Sequence, residues 1–83
     1  MERTEIVNAV YDACVEVLKV DKSTLTETTS FADDLDADSL ALVEVVMQLE
    51  EQFDLRIPED QLDGVTTIGA AADVVATHID AAA

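Results

Sequence analysis

Three stretches of this chain repeat their apolar residues with the period of an α-helix, and only two glycines and one proline stand among its 83 residues to interrupt them. That pattern points to an all-α domain. The first stretch, residues 4–19, places Ile6, Val10, Ala13 and Val17 on one stripe, flanked by Val7, Cys14 and Leu18. Thr4 is its expected N-cap. The second, residues 38–52, has Asp38 at its start. The last, residues 67–79, begins at another good cap, Thr67, and carries Ile68, Ala71, Ala72, Val75 and Ile79 on one face. Between them Pro58, suited to a first helical turn, opens a short helix over residues 58–62. The Ala81–Ala83 tail is expected to fray. The expected architecture is a single domain over residues 1–83: a small four-helix bundle of three longer helices and one short one, with a long loop at 20–37. Leu25, Phe31 and Leu35 are that loop's main large apolar residues and are expected to pin it to the core. A loop this long in so small a domain is functional or disordered, and three anchors argue against disorder.

Composition narrows the function classes. The only aromatics are Tyr11, Phe31 and Phe53, so the core must come from Val, Leu, Ile and Ala. A lone cysteine, Cys14, excludes an internal disulfide and fits a reducing compartment. Its place at the edge of the first stripe makes it a packed side chain rather than a reactive thiol. The N-terminus has no apolar signal core, and no apolar run approaches the roughly 18 residues of a spanning helix. A cytoplasmic chain without membrane insertion is expected, and nothing suggests more than a monomer. The net charge is −15, which repels nucleic acid and anionic lipid and favours partners with basic patches. From Ser23 to Gly64 there are twelve acids and a single base, Arg56.

The second helix has two apolar faces. Leu42, Val45, Val46, Leu49 and Phe53 fall in one sector and make a complete core face. Leu40, Val43 and Met47 fall opposite, with Glu44, Glu50 and Glu51 around them. A helix in a small bundle needs only one such stripe. Burial on both sides is hard to arrange around three glutamates, so the second stripe reads as a docking surface. Its apolar residues give contact while its acids steer basic partners. Methionine adapts to varied partners.

Ser39 lies beside that face, where the acidic segment 33–38 gives way to the helix. A helix start offers unpaired N–H groups and the positive end of the helix dipole, which suit a phosphate attached there. Other chemistries fit less well. The spacing Asp34-x-Asp36-x-Asp38 imitates a calcium-binding loop, but the positions that need Gly and a closing Glu hold Ser39 and Val45. No G-x-S-x-G elbow, no Cys/His cluster and no Gly-rich phosphate loop is present. His78 is the only histidine and stands beside the last helix's stripe. The residues therefore assign neither a catalytic group nor a metal site.

The run from Phe31 through Asp38-Ser39-Leu40, followed by Val43-Glu44-Val45-Val46-Met47-Gln48-Leu49-Glu50-Glu51-Gln52-Phe53, resembles the acyl carrier protein family in its discrete, bacterial-like form. Ile57-Pro58-Glu59 and Thr66-Thr67-Ile68-Gly69 add to the resemblance. It implies a bundle of three longer helices and one short one. It implies that Ser39, flanked by Asp38, carries 4′-phosphopantetheine, placed there from coenzyme A by a phosphopantetheinyl transferase. The arm would hold acyl groups as thioesters, and the chain would be a carrier rather than an enzyme. Leu40, Val43, Glu44, Met47, Glu50 and Glu51 match the family's partner-recognition positions. The implied partners are the transferase, an acyl-loading ligase or acyltransferase, and a ketosynthase or other basic-patched pathway enzyme. Two departures stand out: Asp36 replaces a common Gly, and Ala41 a common acid. The pathway stays open among fatty-acid, polyketide and lipopeptide synthesis. An unmodified acidic interaction module, docking through the same face, is the alternative function.

Overall fold

The computed structural model describes the backbone of residues 2–82 and the side chains of residues 2–79. Three α-helices dominate: α1 (Arg3–Leu18), α2 (Ser39–Phe53) and α3 (Ile68–Ala82). Two 3-10 turns lie between them, Lys22–Thr24 and Glu59–Gly64. The all-α bundle of three longer helices and one short one is the fold observed, and no strand occurs among the described residues.

Local chemistry sets most of the helix ends, with corrections. α1 starts one residue earlier than its spacing predicts. Thr4 is not its cap: Glu2, in extended backbone, precedes the first turn, and its carbonyl accepts from Glu5 N–H and Ile6 N–H at 3.1 and 3.2 Å. Lys19 is not in the helix. It turns left-handed at φ 58°, and its N–H bonds the Val15 carbonyl at 3.0 Å. Asp38 does cap α2, its Oδ1 accepting from Ala41 N–H at 2.8 Å. α2 runs to Phe53, and Asp54 closes it in the left-handed region. Pro58 stands just before the short helix rather than inside it, and the helix is a 3-10 turn reaching Gly64. Thr67 caps α3 through a 3.1 Å bond from Ala70 N–H to its hydroxyl. α3 extends past the expected residue 79, to Ala82. Residue 83 of the expected frayed tail lies outside the described residues.

The core forms where the three stripes meet. Val10 and Cys14 of α1, Val45 and Leu49 of α2, and Ile68 and Val75 of α3 are all buried to 1% exposure or less. α1 packs against both other helices, while α2 and α3 meet only sparingly. Loop 20–37 is ordered as its anchors predict: Leu25 and Phe31 are buried and Leu35 half-buried. It also contains the first 3-10 turn, which its polar composition hides. Asp21 caps that turn, accepting from Ser23 N–H at 3.0 Å. That bond and a second from the Ser23 hydroxyl hold the Asp21 carboxyl below its ordinary range.

The loop is then laid against the start of α3. Phe31 N–H donates to Thr66 O, Ile68 N–H to Thr29 O, both at 3.0 Å, and Gly69 N–H to Glu27 O at 2.8 Å. The last contact explains the glycine, since a Cβ at residue 69 would lie 3.0 Å from the Glu27 carbonyl oxygen. Arg3 closes the seam from α1, pairing with Glu27 of the loop and Asp73 of α3.

Candidate functional site

The chain has three serines, and the fold treats them differently. Ser23 donates its hydroxyl to Asp21 at 2.9 Å. Ser30 is half-buried, and its hydroxyl accepts from Asp33 N–H at 3.1 Å. Ser39 is exposed, and its hydroxyl makes no hydrogen bond among the described residues. It is the first residue of α2. Asp38 takes the Ala41 N–H with its side chain and the Leu42 N–H with its carbonyl, at 2.8 and 3.0 Å. The N–H groups of Ser39 and Leu40 remain without partners among the described residues. An uncommitted hydroxyl therefore stands beside two open donors at the positive end of a fifteen-residue helix.

The segment leading to Ser39 is held tightly. Ser30 O accepts from Asp34 and Leu35 N–H, Asp34 Oδ2 accepts from Ser30 N–H at 2.7 Å, and Ala37 N–H reaches Phe31 O at 2.8 Å. Two of the three aspartates in the calcium-like spacing, Asp34 and Asp38, are thus committed to backbone donors. Among the described residues no three Asp, Glu, His or Cys side chains are grouped to hold a metal ion.

Asp36 sits at φ 53°, in the left-handed region where glycine is at ease. That is the physical reason a Gly suits this position and the cost of its replacement here. Asp36→Gly is expected to stabilise the protein by roughly 0.5 kcal/mol, strain relief being partly offset by a freer unfolded chain. A thermal melt should show the gain, and a fall in Tm would count against strain at this residue.

Two open grooves adjoin Ser39. One, of about 380 Å³, is floored by Leu42, Val43 and Leu62 and rimmed by Glu59, Asp60 and Asp63. The other, of about 360 Å³, runs toward Phe31 and Val65 beneath the loop. An exposed hydroxyl, open N–H donors and adjacent part-apolar grooves fit a phosphate-linked, flexible arm.

The second apolar face of α2 is largely unpartnered. Leu40 is 68% and Met47 55% exposed. Glu44 and Glu51 are exposed, and Val43 is half-buried in the groove beside Ser39. Glu50 differs, because its Oε2 accepts from Ile57 N–H at 2.8 Å and ties the end of α2 to the following segment. That tie builds a third groove, of about 610 Å³, from Met47 to Glu59. Sequence reasoning missed this groove. Its only advance signal was Arg56, the single base in the acidic middle of the chain.

Cys14 is fully buried, and burial pushes its thiol up from 9.0 to about 12. The folded, unmodified chain should therefore show no rapidly reacting thiol to a disulfide reagent at pH 8, and one after denaturation. Rapid reaction before unfolding would contradict the packing. The raised value also sets a sign. Below pH 9 both states keep the proton and the contribution to stability is complete; between pH 9 and 12 only the unfolded chain loses it. Stability then falls as pH rises, by at most about 1.4 kcal/mol per pH unit. Among the described residues His78 engages its own helix, with Nδ1 3.0 Å from Val74 O.

Comparison with known proteins agrees with this geometry. The family described as "Phosphopantetheine attachment site" matches residues 8–75. Its cofactor, 4′-phosphopantetheine, is covalently attached, which defines a class of modified, non-catalytic carriers. An acyl carrier protein of Lactobacillus acidophilus is 41% identical over 78 residues, covering 94% of this chain and 98% of that one. One of Rubrobacter xylanophilus is 42% identical over 78 residues, with 94% and 96% covered. One of Picosynechococcus sp. is 42% identical over 72 residues, with 87% and 89% covered. The chain belongs to the acyl carrier protein family. Among the described residues no helix is long and apolar enough to cross a membrane.

Proposed function

We propose that Ser39 is the attachment residue and that the chain, one domain over residues 1–83, presents acyl groups to successive enzymes of fatty-acid, polyketide or lipopeptide synthesis. The observation that carries this reading is the exposed Ser39 hydroxyl at the open start of α2, the one serine hydroxyl of three without a hydrogen bond among the described residues. Bound there, 4′-phosphopantetheine supplies a thiol that holds the acyl group as a thioester. The chain's own residues do the rest. Asp38 fixes the first turn and keeps Ser39 at its tip. The N–H groups of Ser39 and Leu40 can offset charge on an attached phosphate. Leu42, Val43 and Leu62 offer an apolar floor next to the attachment point.

The docking face is Leu40, Val43, Glu44, Met47, Glu50 and Glu51, next to the tether so that the loaded arm reaches into whatever docks. The exposure of Leu40 and Met47 supports this, because a soluble monomer gains nothing from two large apolar side chains in water. The partners are a phosphopantetheinyl transferase, an acyl-loading ligase or acyltransferase, and a ketosynthase or similar enzyme with a basic patch. The chain works as a monomer in the cytoplasm.

The test of attachment is the intact mass after incubation with coenzyme A and a broad-specificity transferase, wild type beside Ser39→Ala. The test of docking uses Met47→Glu and Glu44→Lys. Each should lower kcat/KM for transfer by roughly tenfold, or about 1.4 kcal/mol, with helicity unchanged by circular dichroism. Unchanged kinetics in both variants would remove this face from the reading.

A further inference from the structure

Arg56 is the sole base beside twelve acids between Ser23 and Gly64, and the fold gives it no ion-pair partner among the described residues. It is exposed and enters no ion pair or side-chain hydrogen bond among the described residues. Acids are not lacking nearby. Glu51, Asp54 and Glu59 line the same 610 Å³ groove, yet none brings a carboxylate within 4.0 Å of the guanidinium.

The groove itself is preformed. Glu50 Oε2 holds Ile57 N–H at 2.8 Å, and Asp54 turns the chain in the left-handed region at φ 52°. Together they fix the segment after α2 against its last turn. Met47, more than half exposed, also lines the groove, and Leu55 and Pro58 add apolar surface to it. A guanidinium is a rigid fork of donors whose best acceptor is a carboxylate. Here that fork stands unused in a groove that is continuous, through Met47, with the α2 face.

We propose that this groove is a selective contact of the docking face, accepting a partner protein whose basic surface carries one acidic side chain positioned on Arg56. The proposal rests on reading α2 as the docking face and names the chemistry of what docks there. Basic residues of the partner answer Glu51, Asp54 and Glu59, an apolar residue packs on Met47 and Leu55, and an Asp or Glu meets the Arg56 fork. A uniformly basic surface would press a like charge onto Arg56 and lose water from it without replacement, so selection works by repulsion as well as attraction.

Three synthetic amphipathic helical peptides, rich in Lys and Leu and differing only in a central Glu, Gln or Lys, provide the test. Each is titrated into the isotope-labelled, unmodified chain, and binding is followed by NMR amide shifts. Simple attraction to a chain of net charge −15 would favour the Lys peptide. The proposal requires the opposite order, with the Glu peptide binding roughly three- to tenfold more tightly than the Lys peptide. Shifts should centre on Met47, Leu55, Arg56 and Ile57. In Arg56→Gln the preference for Glu should vanish, and in Arg56→Glu the Lys peptide should bind best. An exposed, unpaired side chain can be replaced without unfolding, which circular dichroism checks. A Lys-first order in the wild type, an order unaffected by Arg56→Gln, shifts confined to the Leu40–Val43 end, or no saturable binding would each overturn the proposal. Because the unmodified chain is used, neither failure implies the other: loss of this preference leaves attachment at Ser39 standing, and failed loading of Ser39 leaves the peptide ranking standing.

Discussion

Ser39→Ala is expected to leave the protein folded and wholly unable to take up a phosphopantetheine unit. The fold loses almost nothing. The Ser39 hydroxyl makes no hydrogen bond among the described residues, its side chain is exposed, and the cap of α2 is the neighbouring Asp38. Alanine is also a better helix former than serine. Stability should change by less than about 0.5 kcal/mol, or roughly 2–4 °C in Tm for a domain of this size. Loading, by contrast, is all or none, because no oxygen remains to carry the phosphate. Intact mass with and without coenzyme A and transferase decides it. A mass gain in the variant equal to that of wild type would move the attachment to Ser23 or Ser30 and refute the reading from free hydroxyls.

Phe31→Ala is expected to have the largest effect on stability. Phe31 is 3% exposed and is the one aromatic ring of the loop buried in the core. Removing a buried ring of this kind costs about 3–5 kcal/mol. A domain of 83 residues has about 4–12 kcal/mol in total. The variant should therefore melt far below wild type or be partly unfolded at room temperature. The consequence reaches the site, since the Phe31 backbone donates to Thr66 O and accepts from Ala37 N–H, two residues before Ser39. Loading of the fraction still folded should slow as this segment loosens. Urea unfolding supplies the first measurement and single-turnover loading the second. A loss below about 1 kcal/mol would mean that the ring does not anchor the loop.

How much of this was legible beforehand depends on the range of the interaction concerned. The three α-helices, the Asp38 and Thr67 caps and the exposed Leu40–Met47 face follow from residues within a turn or two of one another. Each could be read by turning a helix residue by residue. The misreadings at helix ends share a cause. Lys19 and Asp54 end their helices in left-handed conformations that neither residue type announces, and Asp36 takes the same conformation in a position glycine would fill. Thr4 has the chemistry of a cap, yet the cap position falls two residues earlier, at Glu2. The first 3-10 turn rests on one Asp21 side chain within a run of Ser, Thr and Lys that otherwise looks irregular.

The sequence by itself determined the helical class, the acidic field, the two-faced second helix and the candidacy of Ser39, because helix periodicity and capping are written in neighbours a few residues apart. Only the tertiary structure decided which serine hydroxyl stands without a partner among the described residues, why glycine suits residue 69, and that Glu50 ties down a groove lined by an Arg56 with no ion pair among those residues. Those outcomes depend on where the loop crosses α3 and where the chain returns after α2. The pairings that fix the loop there join residues as far apart as Arg3 and Asp73. Such pairings carry no local periodicity, and they form only once the packed core has brought their partners together.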